Sequence, residues 1–169
     1  MIRGYKAFNK DMTNQYGMKF QEGVRYIIDG PLKFGVNGNG FHFCTKMEDT
    51  LRYVEAKDED VVLTRVNSLG KQVKFDDEYY GFYDMYAASD ILIEHVYTRD
   101  EIIEEFLNAP SYRTDRFLRL YKLNEEEINL FRDSFKSDAN IQNVLSYYQE
   151  HDLNTYERYY NRSKVLVKK

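Results

Sequence analysis

A change of hydrophobic rhythm near Thr98 limits this chain more than any single motif. Before it, apolar and aromatic residues alternate with polar ones in short runs broken by Gly, Pro, Asn or Asp; after it they return every three or four residues. Alternation is the period of a half-buried strand, and three-to-four spacing that of an amphipathic helix. The first pattern predicts strands over residues 3–8, 24–29, 41–44, 61–67, 72–75 and 90–96. Between the third and fourth, residues 45–56 read as a helix whose Met47, Leu51 and Val54 cover the sheet. Past the change, Thr98 and Glu101 have the form of a capping box, with Ile102, Ile103 and Phe106 behind it and Ala109 and Pro110 as the stop. Further helices are expected over 112–123, after Asn124, after Asp138 and over 155–161. Such short links favour antiparallel neighbours. The expected class is α+β: a small mixed or antiparallel N-terminal sheet with one covering helix over residues 1–97, then a C-terminal helical bundle over 98–169.

Charge and cysteine usage narrow the setting. Cys44 is the single cysteine of 169 residues, which excludes an intramolecular disulfide, and no run is apolar enough to suggest a signal or a membrane span. These point to a soluble protein of a bacterial cytoplasm that begins at Met1, with no membrane partner. A net charge of -4 argues against non-specific nucleic-acid binding, which draws its affinity from basic surface. Arg113, Arg116, Arg119 and Lys122 fall at intervals of three, so they drift around a helix and read as a solvated, partly acid-paired surface. Sixteen tyrosines and eleven phenylalanines without a tryptophan supply amphipathic area suited to contact surfaces.

The densest candidate site is GNGFHFCTKMEDTLRY, residues 38–53. Its glycines allow close backbone approach, its aromatic run alternates as a strand, and Thr45 with Glu48 has capping-box spacing. His42 and Cys44 are two apart on that strand, so both face one side and could form a base and nucleophile pair, against a reading of Cys44 as a small buried hydrophobe. His42, Cys44, His95 and His151 lack metal-ligand spacing, so no metal site is expected. The glycines of 35–40 lack the Lys and Ser or Thr of a P-loop. Asp76, Asp77 and Glu78 read as a solvated acidic cluster.

Two resemblances meet here. GYKAF at 4–8, GFHFC at 40–44 and the run 61–94, with Ala88 and Ser89 opening its last strand, resemble an uncharacterised domain family of phage and prophage proteins. That implies a mobile-element setting and no particular activity. More distantly, residues 38–53 are similar in spacing to a segment of the ADP-ribosyltransferase fold. This implies that Tyr5 or Lys6 anchors an NAD ribose, that His42 stacks on nicotinamide with Gly40 and Tyr53 in the cofactor site, and that Asp90 or Glu94 stabilises an oxocarbenium-like transition state. The chain departs from that pattern in lacking the first-strand His, in carrying His42 where a Tyr is usual, and in offering Asp90 where Glu is usual.

The expected function is therefore a phage-type, non-enzymatic protein-binding module without a cofactor, acting as an inhibitor of a bacterial host or defence component. Its alternatives are an NAD-dependent ADP-ribosyltransferase-like enzyme with altered catalytic residues (His42, Asp90, Glu94) and a nucleic-acid-binding protein.

Overall fold

Among the described residues of the first 97, seven strands form one antiparallel sheet: β1 (Ile2–Phe8), β2 (Arg25–Ile27), β3 (Phe41–Cys44), β4 (Val62–Ser68), β5 (Gln72–Lys74), β6 (Met85–Ala88) and β7 (Asp90–Val96), in the order β2-β7-β4-β1-β3-β6-β5. The computed structural model describes residues 1–14, 17–33, 38–53, 61–75 and 85–150. The chain divides at Tyr97 and Thr98 into this sheet unit and a helical unit.

The order follows from a long ribbon. β4 and β5 run on one side and β6 and β7 on the other, and pairing passes through the interruption: Ser68 opposes Ile91, the Leu69 N–H donates to the Asp90 carbonyl at 3.2 Å, the Ser89 N–H donates to the Lys71 carbonyl at 3.0 Å, and Gln72 opposes Ala88. β1 and β3 enter between β4 and β6 and meet at one position, Tyr5 opposite Cys44. Their approach depends on Gly4, because a Cβ there would lie 2.6 Å from the Cys44 carbonyl oxygen and would also strike the Phe43 ring.

One face of the sheet carries a core that includes Phe8, Phe41, Phe43, Val66, Ile91 and Ile93. Phe20, from the link before β2, plugs it, with its ring centroid 4.8 Å from that of Phe8 and 4.7 Å from that of Tyr26. Burying such a ring contributes roughly 1.5–3 kcal/mol. Between Arg65 and Val66 the β4–β7 register slips. Ile93 and Val96 both pack in this core, so the two residues between them, Glu94 and His95, fall outside it.

Two local expectations change in the sheet unit, and in the helical unit the helix expected over 112–123 spans Ser111–Leu118. Residues 45–56 do not make one capped helix: α1 is the single turn Met47–Thr50, followed by a 3-10 turn at Leu51–Tyr53, and the residues from 54 lie outside those described. Because β3 holds Cys44 against Tyr5, the chain stays extended through Lys46, which becomes the N-cap and leaves Glu48 at N2, one short of a capping box. The second change is β6, which the alternation pattern does not reveal.

The helical unit contains α2 (Arg99–Leu107), α3 (Ser111–Leu118), α4 (Glu125–Ser134) and α5 (Ala139–Glu150). Its caps match expectation: Thr98 with Glu101, and Asn124 with Glu127, form complete boxes, and Asp138 accepts from the Ile141 N–H at 3.0 Å. Phe106 and Phe117 stack at 3.9 Å, and Phe131 lies 6.1 Å from Phe117. Arg99 clamps α2 to α4 through two 2.7 Å bonds to Glu127. The expected helix over 155–161 lies outside the described residues.

Replacing Gly4 by Ala should lower unfolding free energy by about 1–3 kcal/mol, since a methyl group has no room at the β1–β3 contact. A urea titration should show an earlier midpoint at unchanged slope.

Candidate functional site

β1 and β3 pair at one register position, Tyr5 opposite Cys44. The Lys6 side chain adds a link between the two strands: its Nζ donates to the His42 carbonyl oxygen at 2.8 Å and lies 5.5 Å from the centre of the Phe8 ring. Lys6 is half-buried and has no carboxylate partner among the described residues. Desolvation lowers its pKa to about 8, against a smaller opposing effect of the Cys44 charge.

His42 is also half-buried. Its Nδ1 lies 3.0 Å from the Gly40 carbonyl oxygen. Since a carbonyl can only accept, Nδ1 carries the proton and Nε2 is the acceptor in the neutral ring. Burial, then the neighbouring Lys6 charge, lower the His42 pKa despite that hydrogen bond. Gly40 is in the left-handed region at φ 134°, and a Cβ there would meet Ala87 at 3.0 Å, so the tight entry into β3 needs glycine. Cys44 is buried, and burial, followed by the charge of Asp49, pushes its thiol up to about 12. A thiol so hard to ionise is a poor nucleophile at neutral pH, which favours the small-hydrophobe reading.

The two candidate acids are bound to arginines. Asp90, with 6% of its side chain exposed, receives the Arg25 Nε–H on both carboxylate oxygens at 2.9 Å, and Arg25 Nη2 also contacts Oδ2, bracing β2 to β7. Glu94 sits on the bulge between Arg65, whose Nε lies 2.7 Å away, and Arg3 at 3.2 Å. Partial burial raises its pKa, but the hydrogen bond and charge of Arg65, the charge of Arg3 and a hydrogen bond from Asn67 outweigh this and hold it below the usual value. His42 and Glu94 stand on strands three steps apart in the order β3-β1-β4-β7. At the usual strand spacing that is about 14 Å along the sheet.

Of the remaining expected residues, Tyr5 faces Tyr97, with ring centroids 6.4 Å apart, and the Tyr53 side chain lies outside the described residues. Asp76, Asp77, Glu78 and His151 also lie outside them. Among the described residues no group of three His, Cys, Asp or Glu gathers as metal ligands, and no helix is long and apolar enough to cross a membrane. On α3, Arg119 pairs with Asp115 at 3.1 Å and Arg113 stands 3.9 Å from Glu105. Sequence reasoning missed Arg3, Arg25 and Arg65 as partners of the acids, and missed the carbonyl that engages Lys6.

Residues 2–95 match the family described as a domain of unknown function, DUF7666. No curated protein and no solved structure matches the chain.

Two measurements probe this geometry. Native protein at pH 8 should leave Cys44 unmodified by a disulfide reagent, with the thiol appearing only across the denaturant transition; prompt native reaction would show an accessible thiolate. The depressed Glu94 pKa contributes stability that is present above the ordinary value of 4.5 and is lost as pH falls through the folded-state value. Wild type should therefore exceed Glu94→Gln in unfolding free energy at pH 7, and the gap should close toward pH 3.

Proposed function

The chain belongs to the DUF7666 family, and we propose that its sheet unit is a non-catalytic protein-binding module that pairs an extended partner segment along β2. The observation that carries this is the state of that edge. β2 ends the sheet, with β7 as its one neighbour among the described strands. The Ile28 N–H bonds the Ser89 carbonyl at 2.9 Å and the Ile93 N–H bonds the Val24 carbonyl at 3.1 Å. Antiparallel alternation then points the backbone groups of Arg25 and Ile27 away from the sheet. Beside them Ile27 is 62% and Val24 36% exposed. An open edge flanked by apolar side chains suits strand addition, in which backbone bonds give affinity and side-chain contacts give selectivity.

The opposite edge differs. β5 also exposes an apolar residue, Val73, but Lys71 and Lys74 flank it, and lysine guards an edge against pairing. On β2 the one cation, Arg25, is neutralised by Asp90. The resemblance carried by the motifs at 4–8 and 40–44 supports a phage-type setting with a bacterial host or defence component as partner. ADP-ribosyl transfer with NAD is the less favoured reading, since Asp90 and Glu94 are each held by arginine.

Ile27→Lys should weaken capture of a bacterial partner from extracts by about tenfold or more, whereas Val73→Lys leaves it unchanged, as expected for one central apolar contact worth over 1 kcal/mol. Equal retention by wild type and Ile27→Lys, at matched circular dichroism, would remove β2 as the docking strand.

A further inference from the structure

We infer that a second copy of this chain closes the β2 edge when no other partner occupies it, the two β2 strands pairing antiparallel about a two-fold axis at Ile27. This rests on the reading that β2 accepts an added strand, and it names the resting occupant of that edge.

The edge is complementary to itself. Its outward backbone groups belong to Arg25, Ile27 and Asp29, because the Ile28 N–H and the Val24 carbonyl are bonded to β7, and Gly30 then turns the chain away at φ 96°. An axis at Ile27 sets Ile27 opposite Ile27 of the second copy, and Arg25 opposite its Asp29 at both ends. The Ile27 pair then exchanges backbone hydrogen bonds, and each Asp29 N–H meets an Arg25 carbonyl.

Both faces of the strand agree with this register. On the outer face the exposed Ile27 packs on its twin, and the Arg25 guanidinium, already held by Asp90, gains the Asp29 carboxylate of the second copy. Asp29 is exposed and meets no cation of its own chain among the described residues. On the other face Tyr26 stands opposite Ile28, and since both pack against the sheet's core, the apolar layer continues across the axis. A row of cation, apolar residue and anion matches itself only when the copies run antiparallel, because a parallel copy would set Arg25 on Arg25. An axis at Tyr26 would leave Asp29 unanswered.

Size sets the strength of this pairing. Residues 25–29 fall well short of the roughly 20–30 residues a side that a standard interface uses, so the dimer is weak and gives way to a tighter occupant of the same edge. Self-pairing then lowers the apparent affinity for that occupant by the share of chains already paired.

Sedimentation velocity on the full chain, from micromolar to millimolar concentration, should show wild type moving from monomer toward dimer. Asp29→Lys sets a lysine against Arg25 at both ends and should weaken dimerisation by about tenfold or more, while Ile27→Lys should abolish it. Because Asp29 is exposed, Asp29→Lys should keep the wild-type circular dichroism and thermal midpoint. A wild type that stays monomeric throughout, or a dimer equally stable in Asp29→Lys, overturns the self-pairing. The two readings of β2 fail separately. Partner capture lost in Ile27→Lys beside a monomeric wild type sinks only the self-pairing; a dimer broken by Asp29→Lys, with capture equal in wild type and Ile27→Lys, sinks only the bacterial partner.

Discussion

The sheet depends on a contact that only a missing side chain allows. β1 and β3 join its two wings at Tyr5 and Cys44, and Gly4 has no Cβ to strike the Cys44 carbonyl. The β4–β5 and β6–β7 ribbon can then pair with β1 on one wing and β3 on the other, instead of remaining an isolated two-stranded ladder, which is marginal in water. The same contact ends abruptly. Beyond it the His42 carbonyl takes a lysine as donor. Lys6 thereby links β1 to β3, and its weakened basicity follows from the burial that this position imposes.

Along β7 the acids do structural work. Asp90 is almost fully covered while Arg25 is half exposed, so the carboxylate carries most of the desolvation cost and the guanidinium offsets it with a bidentate fork. Removing the arginine would strand a buried charge, which costs more than the pair contributes. Glu94 is more accessible and sits between two arginines; its ion pairs are screened and individually weak. The bulge puts it there by turning two consecutive residues out of the core, so the irregularity that looks like a catalytic device serves to place a carboxylate between Arg3 and Arg65.

What the sequence made legible is what short-range chemistry decides. The helical unit's caps are read from residues three apart, and the alternating runs mark strands whose two faces differ in environment. β6 escaped because Met85, Tyr86, Ala87 and Ala88 lack β-branched residues and only Ser89 separates them from β7; the strand exists through pairing with β3 and β5. The shared side of His42 and Cys44 was legible, being a matter of period, but its chemistry was not. Burial that holds a thiol near 12, or arginines that meet acids 65 and 29 positions away, arise from closure of the whole sheet. The box expected at Thr45 failed for a related reason: the Tyr5 and Cys44 pair fixes where β3 ends and so where α1 begins.

Separation within the sheet lets two features coexist that would conflict if adjacent. An edge strand that accepts a partner must keep its outward backbone groups accessible and tolerate additions beside it. Lys6, a half-buried amine held by a backbone carbonyl, sits in the reverse: a partly dry, fixed environment whose donors and acceptors are already assigned. β2 and β1, which carries Lys6, lie three steps apart in the order β2-β7-β4-β1, about 14 Å at ordinary strand spacing. The intervening strands are also where the charges are neutralised, with Asp90 answering Arg25 and Glu94 answering Arg3 and Arg65. Docking at β2 would therefore meet a locally balanced surface. Coupling between the two would have to pass through β7, β4 and β1, whose register is fixed by seven paired positions between β1 and β4. A ladder of that length resists sliding, since a one-residue slip would turn the buried faces of both strands outward.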